Sequence, residues 1–375
     1  SNMSLRIAIA TPTPHDKCET FVKAHMERLD RVVLVLTGAS LPEADGEGRW
    51  LLGSSKWDLV LATARSILLK QDRRTRLRTR IMKRLRDQRV DVVLAEYGHT
   101  AIEMLPCCEA LGIPMVSYFL GFDAFDKDIL RRTRNYEQLF AGDHGIVTVS
   151  SAMRSHLVHM GAKAERVALI ACGVDVRGTA IGHPRAAAPI FLAAGRFTEK
   201  KAPHLLLAAF KRVMQVRPEA KLVMVGDGPL WESCFHYVKA EGMTGNVELV
   251  GRVDHAALGE RMAQARAFVQ HSIVALNGDS EGMPVAVLEA MCAGMPVVAT
   301  RHMGIAEAVE HGVSGLLCEE GDVATMAENM IALVDDPARA ASMGEAGREH
   351  VRAHFDMRQL ITDLQRFLEQ RATSR

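Results

Sequence analysis

Short apolar runs, each stopped by glycine, proline or polar residues, alternate along the chain with longer stretches whose apolar positions fall three and four apart. The runs Arg6 to Ala10, Arg31 to Thr37, Val90 to Glu96, Met115 to Tyr118, Gly145 to Ser150 and Val167 to Ile170 read as buried strands of one parallel sheet. A second set follows at Ile190 to Ala194, Leu222 to Val225, Val247 to Val250, Ala267 to Gln270, Pro296 to Thr300 and Gly315 to Cys318. Helical spacing is clear in Phe21, Val22, His25, Met26 and Leu29, and again in Leu77, Ile81 and Leu85. Further helices are predicted at Val323 to Val334 and Ala338 to Ala353, and a last one at Met357 to Gln370 with a stripe of Leu360, Ile361, Leu364, Phe367 and Leu368. This alternation predicts an α/β protein of two doubly wound parallel sheets. The Gly- and Pro-bearing stretch Arg177 to Pro184 reads as a linker, giving domains at residues 3–178 and 188–353 and a closing segment at 354–375.

Composition narrows the function classes. With 375 residues and a formal net charge of +1, the chain is long enough for two cores, and bulk charge does not point to a nucleic-acid partner. Seven scattered cysteines without a CxxC fit a reducing compartment. No run approaches the roughly eighteen apolar residues of a spanning helix, so the expectation is a cytoplasmic protein, at most peripheral on the inner face of a membrane. Between Lys70 and Arg89 ten of twenty residues are Lys or Arg. That stretch reads equally as a solvated surface helix and as a contact for an anionic membrane surface or a lipid-phosphate acceptor.

Candidate chemistry gathers at strand ends. Ser280 to Thr300 parses as a polar loop, a short helix opening near Pro284, a stop at Gly294 and a buried strand. Glu281 lies in the approach loop and Glu289 inside the helix. If the chain between them is helical they share a face about 12 Å apart, with the helix N-terminus available to an anion between them. Upstream, Arg196 and Lys201 follow a strand end; taken alone they read first as a charged surface loop, and otherwise as cations that can clamp a diphosphate. Gly226-Asp227-Gly228-Pro229 and Gly251-Arg252-Val253 end two further strands. No GxGxxG follows the first strand, which argues against a nicotinamide or flavin domain. Asp126-Lys127-Asp128 stands in a charged helical stretch and is not read as a metal motif.

On these residues the chain resembles the GT-B-fold glycosyltransferases of family four, and specifically a bacterial subgroup tied to exopolysaccharide and colanic-acid-type assembly. The similarity rests on Glu281-x7-Glu289, Gly195-Arg196 with Lys201, Gly226-x-Gly228-Pro229, Gly251-x-Val253 and Cys172-Gly173-Val174-Asp175, and on Glu19-Thr20-Phe21, Glu96-Tyr97-Gly98 and Gly121-Phe122-Asp123. It implies two Rossmann-like domains facing a cleft, with the last helix crossing back to the first domain. It also implies retaining transfer from a nucleotide-diphosphate sugar, UDP-linked more readily than GDP-linked, to a glycan or lipid-linked acceptor, without a metal or other cofactor. Arg196 and Lys201 match the pair on the diphosphate, Glu281 the carboxylate beside the donor sugar, and Glu289 the ribose ligand. Gly228, Gly251, Arg252 and Val253 border the nucleotide, and the N–H groups of Gly282, Met283 and Val285 lie near sugar and phosphate. Lys17, Glu19, Tyr97, His99 and Asp123 are the acceptor-side candidates.

Two features depart from the pattern. Leu120 stands where the subgroup usually has histidine; His99 or His15 could substitute, although each reads first as an ordinary loop histidine. The loop Pro12 to Lys17 lacks paired glycines, for which the charge of Lys17 would compensate. A GT-B epimerase or hydrolase, or a non-catalytic sugar-nucleotide-binding subunit, are the alternative readings.

Overall fold

The computed structural model describes residues 5–14, 17, 19–53 and 72–373. The chain divides into two compact units, one formed by Ser1–Ile170 with Gln359–Arg375 and the other by Ala171–Arg358. Each is built on its own sheet.

In the first unit β1 (Ile7–Ala10), β2 (Val32–Thr37), β3 (Ala44–Asp45), β4 (Val92–Glu96), β5 (Met115–Tyr118), β6 (Gly145–Thr148) and β7 (Val167–Leu169) lie in the order β3-β2-β1-β4-β5-β6-β7. All neighbours are parallel except β3, a two-residue antiparallel edge against β2 too short to show in the hydrophobic pattern. The central strands β1, β4 and β5 are buried on both faces, which is why they read as unbroken apolar runs.

The second unit carries β8 (Ile190–Ala194), β9 (Lys221–Val225), β10 (Val247–Gly251), β11 (Ala267–Gln270), β12 (Val297–Thr300) and β13 (Gly315–Cys318). Their order is β10-β9-β8-β11-β12-β13, and every pairing is parallel. Strand order reverses between β8 and β11, and in such sheets ligands bind beyond the carboxyl ends of the strands at that point. Phe191 and Phe210, fully buried, anchor the core beneath.

The boundaries differ from the expected ones for a visible reason. Residues 171–178 join the second unit because Val174 exchanges backbone hydrogen bonds with Phe355 and Met357 at 2.9 and 3.0 Å. Gly173 makes this possible, since a Cβ there would sit 2.5 Å from the Met357 Cα. The final helix, Met357–Thr373, buries Ile361, Leu364 and Leu368. Its later turns belong to the first unit, where Gln365 accepts from the Asp30 N–H at 3.0 Å and Phe367 and Arg371 cover Gly145.

The basic stretch forms the helix Arg73–Asp87, with Leu77, Ile81 and Leu85 inward; Lys70 lies outside the described residues. Much of its charge is answered within the unit. Arg73 pairs with Glu43 at 2.8 Å, Arg74 and Arg78 with Glu103, Lys83 with Asp87 at 2.6 Å, and Arg84 with Asp45 at 3.1 Å. Arg80 and Arg86 make no ion pair among the described residues. No described helix is long and apolar enough to cross a membrane.

Candidate functional site

Three neighbouring strands of the second unit end in glycines with positive φ, Gly195 after β8, Gly226 after β9 and Gly251 at the end of β10. They stack because no side chain intervenes. The Gly226 N–H donates to Gly251 O at 2.7 Å, and a Cβ on Gly226 would meet Gly195 O at 1.9 Å. A Cβ on Gly195 would in turn press on the stem of Lys201, 3.0 Å away. The glycines therefore lay an open backbone floor under Lys201. Gly228, at φ 149°, packs against Phe197 in the same way. A small cavity at these strand ends is lined by Gly195, Arg196, Phe197, Lys201, Gln270 and His271.

Across the reversal point, Lys201 Nζ lies 2.6 Å from Glu281 Oε1, with the two side chains 19% and 8% exposed. Gln270 and Ser272, at the end of β11, approach the same oxygen at 3.4 and 3.5 Å. Burial pushes the Glu281 carboxyl up, but the charges of Lys201 and Lys200 and the Lys201 hydrogen bond outweigh it, so Glu281 stays below the usual carboxylate range. Lys200 is committed separately, to Asp279 at 3.0 Å. Arg196 is exposed and makes no side-chain hydrogen bond or ion pair among the described residues.

The helix after Glu281 spans Val285–Cys292, capped by Pro284 in extended conformation. Three residues, Gly282 to Pro284, thus separate Glu281 from the helix, and the continuous helical spacing to Glu289 does not apply. Pro284 cannot carry the helix back to Glu281, because its ring excludes the hydrogen bond that would extend it. The loop instead leaves donors over, since no described residue accepts from the N–H of Gly282, Met283 or Val285. Gly282 and Met283 are themselves buried. Such N–H groups beside a helix N-terminus and a lysine form a cradle for an anion.

Glu289 lies on the helix with its carboxylate 19% exposed, 2.9 Å from Nε2 of His255. His255 opens the helix His255–Gln264, just beyond Val253. Sequence reasoning missed His255; its place two residues after the Gly251 to Val253 loop was the available signal. Arg252 turns to Asp227, Nε to Oδ2 at 2.8 Å, with the arginine exposed and the aspartate half-buried. His271 is fully buried, accepts the Gly321 N–H at 2.9 Å and is pushed down to about 4 chiefly by burial.

In the first unit the acceptor-side candidates cluster at the ends of β4 and β5. Tyr97 takes φ 72°, a strained value for a large residue, and donates its hydroxyl to Glu19 at 2.8 Å. Its ring, His99 and Phe122 form a trio with centroids 5.4–5.5 Å apart. Gly98 is required there, because a Cβ would strike the Phe119 ring at 2.2 Å. Asp123 is fully buried and accepts from the N–H groups of Gly98, Leu120 and Gly121 at 2.8–3.0 Å, so its carboxylate shapes the turn. Burial lowers the His99 pKa. Lys17 is exposed, and His15 lies outside the described residues.

Asp126 and Asp128 do local work. Asp126 caps the helix Lys127–Arg132 and Asp128 pairs with Arg131 at 2.6 Å. Among the described residues no group of three or more His, Cys, Asp and Glu side chains is placed to hold a metal ion.

Comparison with known proteins gives consistent matches. Residues 19–177 match the model of Glycosyltransferase Family 4, and residues 182–350 that of Glycosyl transferases group 1. The chain is 29% identical over 289 residues to the glycosyltransferase WcaL of Escherichia coli K12, assigned to colanic acid biosynthesis, covering 75% of this chain and 71% of that protein. It is 34% identical over 168 residues to a GDP-mannose-dependent monoacylated alpha-(1-6)-phosphatidylinositol monomannoside mannosyltransferase of Corynebacterium glutamicum, covering 44% and 43%. Among solved structures, Anabaena HepE in complex with UDP superposes with a TM-score of 0.76 at 18% identity, over 98% of this chain and 100% of that one.

Proposed function

The chain belongs to the group 1, family 4 glycosyltransferases of GT-B fold, and from that premise we propose that it transfers a sugar with retention from a nucleotide-diphosphate donor, without a metal. The donor is UDP-linked in this reading, with GDP as the alternative base, since HepE holds UDP and the Corynebacterium relative depends on GDP-mannose. The acceptor is a glycan or a lipid-linked saccharide in polysaccharide or glycolipid assembly.

One observation carries the reading. The Lys201 to Glu281 pair lies at the reversal point of the sheet, beside three N–H groups with no acceptor among the described residues. The diphosphate would take those N–H groups and Lys201, and Arg196 would close from the open side. Glu281 would hold the sugar hydroxyls, and Glu289 would exchange His255 for the ribose. As the bond from C1 to the phosphate oxygen breaks, charge grows on the phosphate where these donors already point. The acceptor oxygen bonds to C1 on the same face and its proton passes to the departing phosphate oxygen, so no protein nucleophile is needed. Glu281, charged and paired, acts by position and electrostatics.

The test is turnover of UDP- and GDP-sugars with a panel of glycan and lipid-linked acceptors, with proton NMR of the product. An α-linked product from an α-donor, formed equally in EDTA, is expected. An inverted product or a strict metal requirement contradicts the retaining, metal-independent part. Donor loss without an acceptor would favour the hydrolase or epimerase alternative. A membrane contact through the basic helix rests on what its internal ion pairs leave over. Charge reversal at Arg76, Arg80, Lys83 and Arg84 lowers binding to anionic vesicles if that contact exists, and leaves it unchanged if it does not.

A further inference from the structure

Beyond Glu281 the sheet edge holds two groups that the family reading leaves unused, His302 after β12 and Glu320 after β13. His302 is fully buried, its Nδ1 is 2.5 Å from Glu320 Oε1, and its Nε2 is 3.0 Å from the backbone N of Glu281. A backbone N–H can only donate, so Nε2 carries no proton, Nδ1 carries it, and Nδ1–H donates to Glu320. The other Glu320 oxygen accepts the Val274 N–H at 3.0 Å. A single carboxylate thus ties the segment after β11 to the turn after β12.

That turn is itself seated against the donor loop. The Gly304 N–H donates to Gly282 O at 3.0 Å, and a Cβ on Gly304 would lie 2.2 Å from the same oxygen. Met303, between the two contacts, is held at φ 39°, a left-handed value that a methionine adopts only under constraint from its surroundings. Two hydrogen bonds therefore fix Glu281 and Gly282 from behind, one to the imidazole and one from Gly304. The N–H groups that follow, Gly282 and Met283, keep no acceptor among the described residues.

We propose that Glu320 and His302 are positioning residues for the donor sugar: through the Glu281 N–H they set the loop so that its carboxylate stays on Lys201 and its next two N–H groups face the ligand. The proposal rests on the reading of Glu281 as the sugar-side carboxylate. It predicts a selective defect. The loop contacts sugar and adjoining phosphate, whereas Glu289 and the Gly251 to Val253 loop serve the nucleoside, so disturbing the pair weakens sugar-bearing donors more than free nucleotide.

Two substitutions separate this role from simple packing. In His302→Gln the amide oxygen reaches the place of Nε2 and can still accept from Glu281. In His302→Asn the shorter amide can reach Glu320 but not Glu281. Backbone hydrogen exchange over residues 278–288 of the whole protein reads the clamp without any ligand. Calorimetry with UDP-glucose, UDP, GDP-mannose and GDP reads its consequence. Expected in His302→Asn are an exchange rate at Glu281 raised about tenfold and nucleotide-sugar affinity lowered about tenfold, with the free nucleotide within about twofold. His302→Gln should stay within about threefold of the parent in both. Unchanged exchange in His302→Asn, or equal losses in both variants extending to free nucleotide, overturns the proposal. Exchange that rises as expected while nucleotide-sugar affinity holds overturns the placement of Glu281 on the donor instead, which is the earlier reading and not the clamp.

Discussion

Arg196 and Lys201 were paired by their positions in the sequence, yet their surroundings differ. Arg196 is exposed without a partner among the described residues, so Arg196→Ala should leave the melting temperature unchanged while lowering turnover by about two to three orders of magnitude, the usual loss of a donor to a growing anionic charge. Lys201→Ala removes the counter-charge of a buried carboxylate and should also destabilise the protein, by about 3 kcal/mol. The pH dependence of that loss has a definite sign. Glu281 titrates below its ordinary value in the folded protein, so its contribution is present above about 4.5 and fades as pH falls. The melting-temperature gap between parent and Lys201→Ala should narrow from pH 7 towards 4; a gap that widens contradicts the pairing. His271 adds a second window. Its folded value of about 4, against 6.5 when free, makes the second unit lose stability as pH drops from 6.5 to 4, and His271→Gln should flatten that slope in thermal melts. The sequence made Lys201 and Glu281 visible as separate strand-end charges, but not their contact, because nothing local links positions eighty apart in the chain. His302, and His255 but for its place just after the Gly251 to Val253 loop, escaped the sequence reading for a related reason. A histidine acquires its meaning from what faces its ring nitrogens, and here those partners, Glu289 on the helix Val285–Cys292 and the Glu281 N–H in the loop before it, are distant in sequence.

At the level of elements, the helix Val285–Cys292 is held from the side by the helix Pro337–His354. The contact depends on Gly344, where a Cβ would lie 1.9 Å from Gly294 O. Alanine is about 1 kcal/mol better than glycine inside a helix, yet here the clash should dominate, so Gly344→Ala is expected to cost about 1–3 kcal/mol. Urea unfolding measures this; a stabilised variant would show that the two helices do not pack as described. Strands were the most legible elements, because burial on both faces of a parallel sheet leaves a continuous apolar run. The short helices Phe122–Phe125 and Glu137–Ala141 left no such trace, having too few turns for a period to appear. The basic helix was legible as a helix but not in its charge balance, since Glu43, Asp45 and Glu103 reach it from elsewhere in the unit.

For the whole molecule, the alternation of strands and helices indicated two doubly wound sheets, and the strand orders agree. The second sheet has the arrangement whose reversal point marks a ligand edge. The boundary near residue 171 and the return of the chain at 359 were less legible, since they depend on Val174 meeting Phe355 and Met357 far along the chain. The residues assigned to the diphosphate, sugar and ribose all lie within Ala171–Arg358, so the nucleotide should be held by that unit's own groups. The most direct measurement is calorimetric titration of UDP-glucose and GDP-mannose into the intact protein and its Arg196→Ala, Lys201→Ala and Glu289→Ala variants. Saturable binding of one donor by the parent, weakened at least about tenfold in each folded variant, is the predicted result. Binding that survives all three substitutions unchanged, or no binding of either donor at millimolar concentration, would contradict the assignment of this site.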